Sequence, residues 1–435
     1  MHDQIKSLED TLLEAGLGLP KFLVPKDGID PRRWAVIACD QYTSNPDYWN
    51  KVMNFIGKEP STARLILPEA FLNQEPELRI EQIHHTMLDY KMKRVVRELK
   101  PGFILQERTL PSGKKRHGLI VALDLSRYDH NPGSVSLIRP SEETIVERLK
   151  YRKMARQDAT LETSHAIVFY DDPQHQVLKP VMNGSQGKVY DTDLMMNAGH
   201  VTGFHVKDER MLRDIADAFR NLKETAKHHG QEHPMLYVIG DGNHSLAAAR
   251  PLAYHRFGPL VKNALRRYAM VELVNIHDEG VEFFPIHRFV HAVETNKYLD
   301  SVKNYFGAEI RSGYTTLAQA QEAASQSSKD HLAVPFTDGN GHGFMSMRKV
   351  PAVLFMDSFH AFFKDQAKKD WIEYIHGDAA LEQYAKKNNG LGFVFPKIEK
   401  KDFFNHVRIH GTMPHKAFSV GHADDKAFYF ALRYL

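Results

Sequence analysis

A glycine-rich turn between an apolar segment and an alanine-rich segment is the strongest candidate for chemistry in this 435-residue chain. The apolar run before the turn predicts a buried strand at 235–239. The run after it predicts a helix from about Ser245. The residues at and around the turn (240–244) are, in order, Gly240, Asp241, Gly242, Asn243, His244 and Ser245.

These residue types suit the binding of an anion, and of a phosphate in particular. Glycines at 240 and 242 permit a positive φ and a close approach of the backbone to a ligand. The free N–H groups at the start of a helix favour a negative charge. Asp241 could hold Mg²⁺ through oxygen, and His244 could donate to a phosphate or act as an acid or base. A tight turn in which Asn243 or Ser245 merely caps the helix is the alternative.

A second candidate segment begins at Arg139 and leads into a helix predicted near Glu142 to Thr160. Ser141 has the residue type of a helix cap, and acidic residues suit the first turn of a helix. Glu142 is a candidate for a role in chemistry, although capping alone explains the same pattern.

Three further segments combine turn residues with polar side chains. His287 and Arg288 follow a predicted strand and are expected to be exposed as a pair. Lys416 and Ser419 bring a cation and a hydroxyl together, a set that suits phosphate or carboxylate. Residues 39–44 follow a strand predicted at 34–39, a place where ligands often bind in α/β proteins. Surface or loop roles remain the alternatives for all three.

The histidines and the cysteine bear on a metal hypothesis. The chain has 25 His and one Cys, Cys39, and contains neither a His-Glu-x-x-His motif nor a pair of cysteines. Cys39 is expected to belong to the core. A metal-dependent hydrolase built from histidines that are distant in sequence remains an open alternative.

Composition narrows the class of protein. Lys and Arg total 57 against 54 Asp and Glu, a balance that argues against a nucleic-acid binder. The mean hydropathy is −0.44, and no run of about 18 apolar residues occurs, which argues against a membrane span. The first ten residues are polar and acidic, unlike a signal peptide, so we expect a cytoplasmic protein.

Alternating helical and strand patterns along the chain predict an α/β fold with mixed sheets flanked by helices. A hairpin is predicted from strands at 103–108 and 117–125. Three regions are expected: an N-terminal mixed α/β region, a central region with the glycine-rich turn, and a C-terminal α/β region. Their predicted bounds are 1–138, 139–290 and 291–435.

Several motifs resemble the domain-of-unknown-function 1015 family over nearly the whole chain. They include Val-Ile-Gly-Asp-Gly-Asn-His-Ser-Leu-Ala, Phe-Phe-Pro-Ile-His-Arg and Gly-Thr-Met-Pro-His-Lys. The commoner family form of the turn, Asp-Gly-His-His-Arg, is similar to the signature of ParB/sulfiredoxin-like proteins, among them ATP- or ADP-dependent free-serine kinases. The resemblance implies such a substructure around 235–250, with the turn cradling a nucleotide's phosphates. Asn243 replaces the first His of that form, and Ser245 replaces its Arg.

The leading hypothesis is therefore a nucleotide-dependent phosphotransferase that uses ATP or ADP with Mg²⁺ on a small hydroxylated metabolite or amino acid. Asp241 would hold the metal, Glu142 would be the base, and His244 would contact phosphate or transfer a proton. Lys416 would neutralise developing charge. A non-catalytic nucleotide- or metabolite-binding regulatory protein is the alternative, and a metal-dependent hydrolase a further one. The proposed phosphate-binding set is Gly240, Gly242, Asn243, Ser245, His287, Arg288, Lys416 and Ser419.

Overall fold

The computed structural model of the chain describes residues 7–131, 133–163, 165–182, 186–228, 233–255, 265–327, 329–366 and 371–435. Internal contacts group the chain into a larger unit, Met1–Glu282 with Val420–Leu435, and a smaller unit, Phe283–Ser419. The three regions expected from the sequence, 1–138, 139–290 and 291–435, stay a prediction.

The described residues form helices and strands that alternate along the chain. The helices are α1 Leu8–Glu14, α2 Pro31–Trp34, α3 Pro46–Ile56, α4 Pro76–Met92, α5 Leu149–Gln157, α6 Lys179–Met182, α7 Glu209–His228, α8 Asn243–His255, α9 Thr295–Phe306, α10 Leu317–Ser325, α11 Ala352–Gln366, α12 Asp378–Lys387 and α13 Lys400–His410. The strands are β1 Leu17–Gly18, β2 Phe22–Pro25, β3 Val36–Ile37, β4 Val96–Glu98, β5 Phe103–Thr109, β6 Lys115–Asp124, β7 Ile138–Pro140, β8 Leu161–Glu162, β9 Ala166–Tyr170, β10 Lys188–Asp193, β11 His200–Val206, β12 Tyr237–Asp241, β13 Tyr268–Asn275, β14 Phe283–His291, β15 Glu309–Tyr314, β16 His331–Thr337, β17 His342–Arg348, β18 Ile372–His376, β19 Gly390–Phe393, β20 Phe418–Val420, β21 Phe428–Tyr429 and β22 Leu432–Tyr434. The predicted α/β class, with mixed sheets and helices, is confirmed.

The larger unit contains a nine-stranded sheet, counted over the described residues, in the order β10-β11-β5-β6-β13-β9-β12-β7, with β1 paired to β6. β5 and β6 form the antiparallel hairpin that the sequence predicts. β12 is antiparallel to β9 on one side and parallel to β7 on the other. The glycine-rich turn therefore follows a strand that is hydrogen-bonded on both sides.

The two faces of this sheet differ in polarity, because successive residues of a strand point to opposite faces. On one face, Val121 and Leu273 belong to an apolar core that includes residues of α1, α7 and α8. The opposite face carries Arg116 and Glu272, which are both buried. The C-terminal segment covers them there, since Arg116 Nη1 donates to the backbone carbonyl of Asp425 at 2.5 Å.

Two further sheets of the larger unit join the C-terminus to the N-terminal third. They have the strand orders β4-β2-β22-β8 and β21-β3. The strand predicted at 34–39 is shorter than expected: α2 extends to Trp34, and β3 covers only Val36–Ile37. Asp30 caps α2 and Pro31 opens it, which favours helix over strand at this point.

The smaller unit has a sheet of its own, with strand order β15-β17-β16-β19-β14-β18 and β20 paired to β14. The carboxyl end of β18 leads into α12 through Gly377, which has a φ of +88°. Phe289 of β14 packs with Leu381 and Ala385 of α12 in a compact apolar cluster.

Candidate functional site

The turn after β12 brings the predicted polar residues to the start of α8. β12 ends at Asp241, and α8 begins at Asn243, two residues earlier than the sequence predicts. Gly242 joins them with a φ of +94°, and a Cβ atom there would lie 2.8 Å from the Cβ of Ala166 on β9. Only glycine satisfies both the dihedral angle and the close packing. The predicted succession of strand, turn and helix is confirmed.

We expect Gly242→Ala to lower the free energy of unfolding by about 2–4 kcal/mol, because it adds a strained backbone conformation to a steric overlap. Gly113→Ala is the matched control: Gly113 has a φ of +84°, but open space surrounds its Cβ position. The control should lose only about 1–2 kcal/mol. Urea denaturation of the two variants measures the difference, and equal losses would contradict a packing role for Gly242.

The first residues of α8 hold residues 141–145 against the turn. Asn243 Oδ1 accepts a hydrogen bond from the backbone N–H of Ser141 at 3.2 Å, and its Nδ2 donates to Ser141 Oγ at 3.2 Å. His244 Nε2 accepts from the backbone N–H of Ile145, also at 3.2 Å. A ring nitrogen that accepts is unprotonated, so the proton of this imidazole resides on Nδ1.

The helix predicted near 142–160 is wrong at its beginning. α5 covers only Leu149–Gln157 and follows a 3₁₀ turn at Val146–Arg148. Ser141 and Glu142 resemble a helix cap and a first-turn acid, but the backbone N–H groups of Ser141 and Ile145 bond to side chains of α8 instead. Glu142 therefore lies, half-buried, in a non-helical segment attached to the start of α8.

Asp241 is paired with a lysine from the C-terminal segment. Lys426 Nζ lies 3.5 Å from Asp241 Oδ2, and the two side chains are only 10% and 21% exposed, respectively. Burial raises the pKa of the Asp241 carboxyl, Lys426 lowers it, and nearby Asp40 raises it again. The balance leaves the pKa above its ordinary value. The turn is thus a mostly buried site with two carboxylates and a cation.

An arginine from α5 brings a second cation to the start of α8. Arg152 Nη1 donates to Ser245 Oγ at 2.9 Å, and its Nη2 donates to Glu69 Oε1. The guanidinium is always charged, and it presents several N–H donors in one plane. Ser245 thus lies against an arginine that is 93 residues away in sequence.

A cavity of about 130 Å³ adjoins this arginine. Glu69, Arg152 and Ser245 contribute polar groups to its wall, and Cys39 lines it as well. Burial raises the pKa of the Cys39 thiol to about 12, which makes thiolate scarce at neutral pH. The expectation that Cys39 belongs to the core needs refinement, because its side chain is half-buried and faces this cavity.

His287 and Arg288 in the smaller unit are buried within β14, so the exposed pair expected from the sequence is wrong. The Nδ1 of His287 accepts from the backbone N–H of Phe395 at 3.2 Å. Its Nε2 must then carry the proton and donates to Asp378 Oδ1 at 2.7 Å. This hydrogen bond is the main cause of the lowered pKa of Asp378.

Arg288 directs its guanidinium at backbone carbonyls. Its Nη1 donates to Ile286 at 2.6 Å, and its Nη2 donates to Lys416 at 2.9 Å. Lys416 Nζ in turn lies 5.0 Å from the centroid of the Tyr374 ring. Arg288 therefore positions the loop that carries Lys416. Phosphate binding by the four candidates of this unit stays a prediction: His287, Arg288, Lys416 and Ser419.

Comparison with known proteins assigns the chain to a family. The model of the family described as protein of unknown function (DUF1015) matches residues 23–379. The chain belongs to the DUF1015 family. None of the curated proteins matches the chain.

Solved structures similar to this DUF1015 chain include a mutant of free serine kinase in complex with AMP, at 10% identity and a TM-score of 0.39. That match covers 71% of this chain and 90% of the other. A conserved hypothetical protein from Pyrococcus furiosus has 10% identity and a TM-score of 0.36, covering 73% and 94%. SbnI with C-terminal truncation, from Staphylococcus aureus, has 8% identity and a TM-score of 0.36, covering 71% and 85%.

The described part of the DUF1015 chain contains neither a candidate metal cluster nor a helix that could span a membrane. Over the described ranges, no group of three or more His, Cys, Asp or Glu side chains has an arrangement that could hold a metal ion. Within the same part of the chain, none of the helices combines the length and the apolar character needed to cross a bilayer.

Sequence reasoning missed the two cations at this turn. Lys426 follows two aspartates and precedes an apolar strand. A single cation at the edge of a buried segment is the sequence pattern that could have identified it. Arg152 lies among other basic residues of α5 and gave no such signal. Asp40 belongs to the 39–44 segment, which the sequence did mark as a place for a ligand.

Proposed function

We propose that this chain is a nucleotide-dependent phosphotransferase that acts on a small hydroxylated metabolite. The observation that carries the proposal is the pair of cations at the start of α8, the buried Lys426 beside Asp241 and the half-buried Arg152 beside Ser245. Cations and a helix start together favour phosphate groups. Phosphoryl transfer depends mainly on positioning and on the stabilisation of charge.

Arg152 would replace an arginine that the commoner family form has in the turn and that this chain lacks there. That form has an arginine where this chain has Ser245. Here the guanidinium of Arg152 donates to the Ser245 hydroxyl, which supports the presence of a phosphate-binding arginine at the same place. We infer that the positive charge that binds phosphate comes from Arg152 on α5 rather than from residue 245 on α8.

The two aspartates fit a role in holding Mg²⁺. Asp40 lies near enough to Asp241 to raise its pKa. Mg²⁺ in nucleotide sites is usually bound by one or two carboxylates together with phosphate oxygens and water. The ion supplies neutralisation of the phosphate charge when it is bound.

The remaining roles follow from position around the turn. The Gly242 backbone and the first N–H groups of α8 would contact the phosphates, with Lys426 and Arg152 beside them. Asn243 and His244 would hold residues 141–145 in place through the hydrogen bonds described above. Glu142 would accept the proton of the substrate hydroxyl as the general base.

We expect ATP or ADP with Mg²⁺ to raise the melting temperature, since a ligand at 100 times its Kd adds about 2.7 kcal/mol of stability. Glu142→Gln should leave this shift nearly unchanged and lower the rate of phosphate transfer by about 10²–10⁴-fold, the usual contribution of a general base. Transfer to a pool of hydroxylated metabolites is followed by mass spectrometry. Glu143→Gln is the matched control, because Glu143 is the exposed neighbour on the same segment.

Each outcome of this experiment bears on the proposal. Product from the wild type and from Glu143→Gln, but not from Glu142→Gln, supports it. Equal product from all three proteins excludes Glu142 as the base. Nucleotide binding without product from any pool favours a non-catalytic nucleotide- or metabolite-binding regulatory protein, and no shift with any nucleotide contradicts both functions.

A further inference from the structure

The cavity beside Arg152 has an apolar wall and a polar end. Glu69, Arg152 and Ser245 form the polar end. The wall is formed by aliphatic and thioether side chains from several elements of the larger unit. They include Leu65, Leu72, Met87, Leu246 and Met270.

Most of the other polar groups of the wall are bonded to neighbouring protein groups, although the Nε of Arg156 has no hydrogen-bond partner among the described residues. Arg156 Nη1 donates to Glu162 Oε1, and Arg156 Nη2 donates to the carbonyl of Tyr268 at 3.1 Å. The hydroxyl of Thr163 donates to the carbonyl of Ala431 at 3.3 Å. A nucleobase needs several donors and acceptors that match its edge, whereas most of these groups are already bonded and the Nε of Arg156 is a single remaining donor. An aliphatic group needs no hydrogen-bond partner and gains from leaving water.

We infer that this cavity binds the aliphatic body of the phosphate acceptor, with the acceptor hydroxyl at the Arg152 and Ser245 end. The assignment rests on the proposed function, and it narrows the substrate from any small hydroxylated metabolite to one with a hydrocarbon chain. A substrate as small and polar as serine would leave the apolar wall uncovered.

The alkylation rate of Cys39 reports whether the cavity is occupied, because Cys39 lines the cavity and is the single cysteine of the sequence. An occupant of the cavity should therefore slow alkylation of the protein. The reaction is followed by mass spectrometry at pH 9, where the thiolate fraction of a thiol with a raised pKa is larger than at neutral pH.

The test uses straight-chain 1-alkanols of two to eight carbons, without nucleotide, on the full chain. The concentration that halves the alkylation rate should fall about four-fold per added methylene until the cavity is full, as expected from the transfer free energy of a CH₂ group. Serine at the same concentrations should give no protection. Calorimetry on the same series gives an independent affinity and decides the question if Cys39 is not labelled at all.

Two leucine variants on α5 localise the binding. Ala155 lines the cavity, so Ala155→Leu should fill part of it and raise the half-protecting concentration of the longer alcohols at least ten-fold. Gln157→Leu adds the same side chain at an exposed position of the same helix and should change nothing. Affinities that do not rise with chain length, or that fall equally in both variants, would overturn the assignment.

The same proteins separate this inference from the proposed function. The thermal shift by ADP with Mg²⁺ should be the same in Ala155→Leu and in the wild type, because the cavity would hold the acceptor and not the nucleotide. A normal ADP shift with no chain-length dependence overturns the aliphatic acceptor alone. Chain-length dependence without any nucleotide shift overturns the phosphotransferase and leaves a cavity that binds hydrocarbon.

Discussion

Lys426→Met should reduce phosphate transfer by about 10²–10³-fold, the usual cost of removing one preorganised charge from a site that stabilises a transition state. Methionine keeps the length and apolar stem of lysine but removes the cation. The loss should appear in kcat/KM measured with ATP or ADP. Lys93→Met is the matched control, since Lys93 forms an exposed ion pair with Asp89 on the surface of α4.

The pH dependence of the same variant distinguishes a role at Asp241 from general instability. Burial and Asp40 raise the pKa of Asp241, and Lys426 opposes them. Without Lys426 this pKa should rise further, so the acid limb of the rate profile should move to higher pH if ionised Asp241 is required. An unchanged acid limb, or an equal loss of activity in Lys93→Met, would argue against the pair as part of the site.

Local sequence signals predicted the turn well, because the determinants of the turn are local. Gly242 has to adopt a positive φ, and an apolar strand and an alanine-rich helix flank it in sequence. The hairpin of β5 and β6 was predicted for the same reason: its pairing is set by adjacent strands and a short turn.

The wrong predictions concern residues whose hydrogen-bond partners are distant in sequence. Ser141 and Glu142 have the local pattern of a helix start, but Asn243 bonds to Ser141 from 102 residues away and overrides it. The sequence predicts an exposed Arg288, yet backbone carbonyls of residues 415 and 416 accept hydrogen bonds from its guanidinium and allow its burial. Ser141 and Arg288 show that a local sequence pattern identifies a polar side chain but not the group to which it bonds.

The grouping of residues at the candidate site was predictable in part for the same reason. The sequence identified one side, from Gly240 to Ser245, since these residues are consecutive. The cations opposite them, Lys426 and Arg152, come from the C-terminal segment and from α5. The position of Lys426 depends on how the C-terminus pairs with strands of the N-terminal third, and Arg152 bonds to a residue 93 positions away, so no local pattern reveals either approach.

A fully buried ion pair lies beneath the C-terminal segment that delivers Lys426. Arg116 Nε is 3.5 Å from Glu272 Oε1, and the two side chains are 2% and 0% exposed. His165 Nε2 is 3.8 Å from Glu272 Oε2. Burial by itself would raise the pKa of Glu272, but Arg116 and His165 lower it to about 2, well below the ordinary 4.5. By linkage, that shift corresponds to on the order of 3 kcal/mol of stability at neutral pH.

Glu272→Gln should therefore lower the free energy of unfolding of the larger unit by about 3–5 kcal/mol at pH 7, because it leaves the Arg116 charge buried and unpaired. A lowered pKa stabilises the fold above about pH 4.5, and that contribution is lost as the pH falls toward 2. The gap between wild type and variant should shrink over the same interval. Urea denaturation in a Trp371→Phe background lets Trp34 and Trp49 report on the larger unit.

Two controls test whether the loss of stability arises because the Glu272 charge is buried and not simply because a carboxylate has been removed. Glu98→Gln breaks an ion pair with Lys21 that is 43–56% exposed, and it should cost no more than about 1 kcal/mol. Replacing both partners, Arg116→Met with Glu272→Leu, should recover most of the loss, since an apolar pair leaves no charge in the interior. A cost for Glu272→Gln no larger than that for Glu98→Gln, or a gap independent of pH between 2 and 4.5, would show that Arg116 and Glu272 do not stabilise the sheet face on which the C-terminal segment lies.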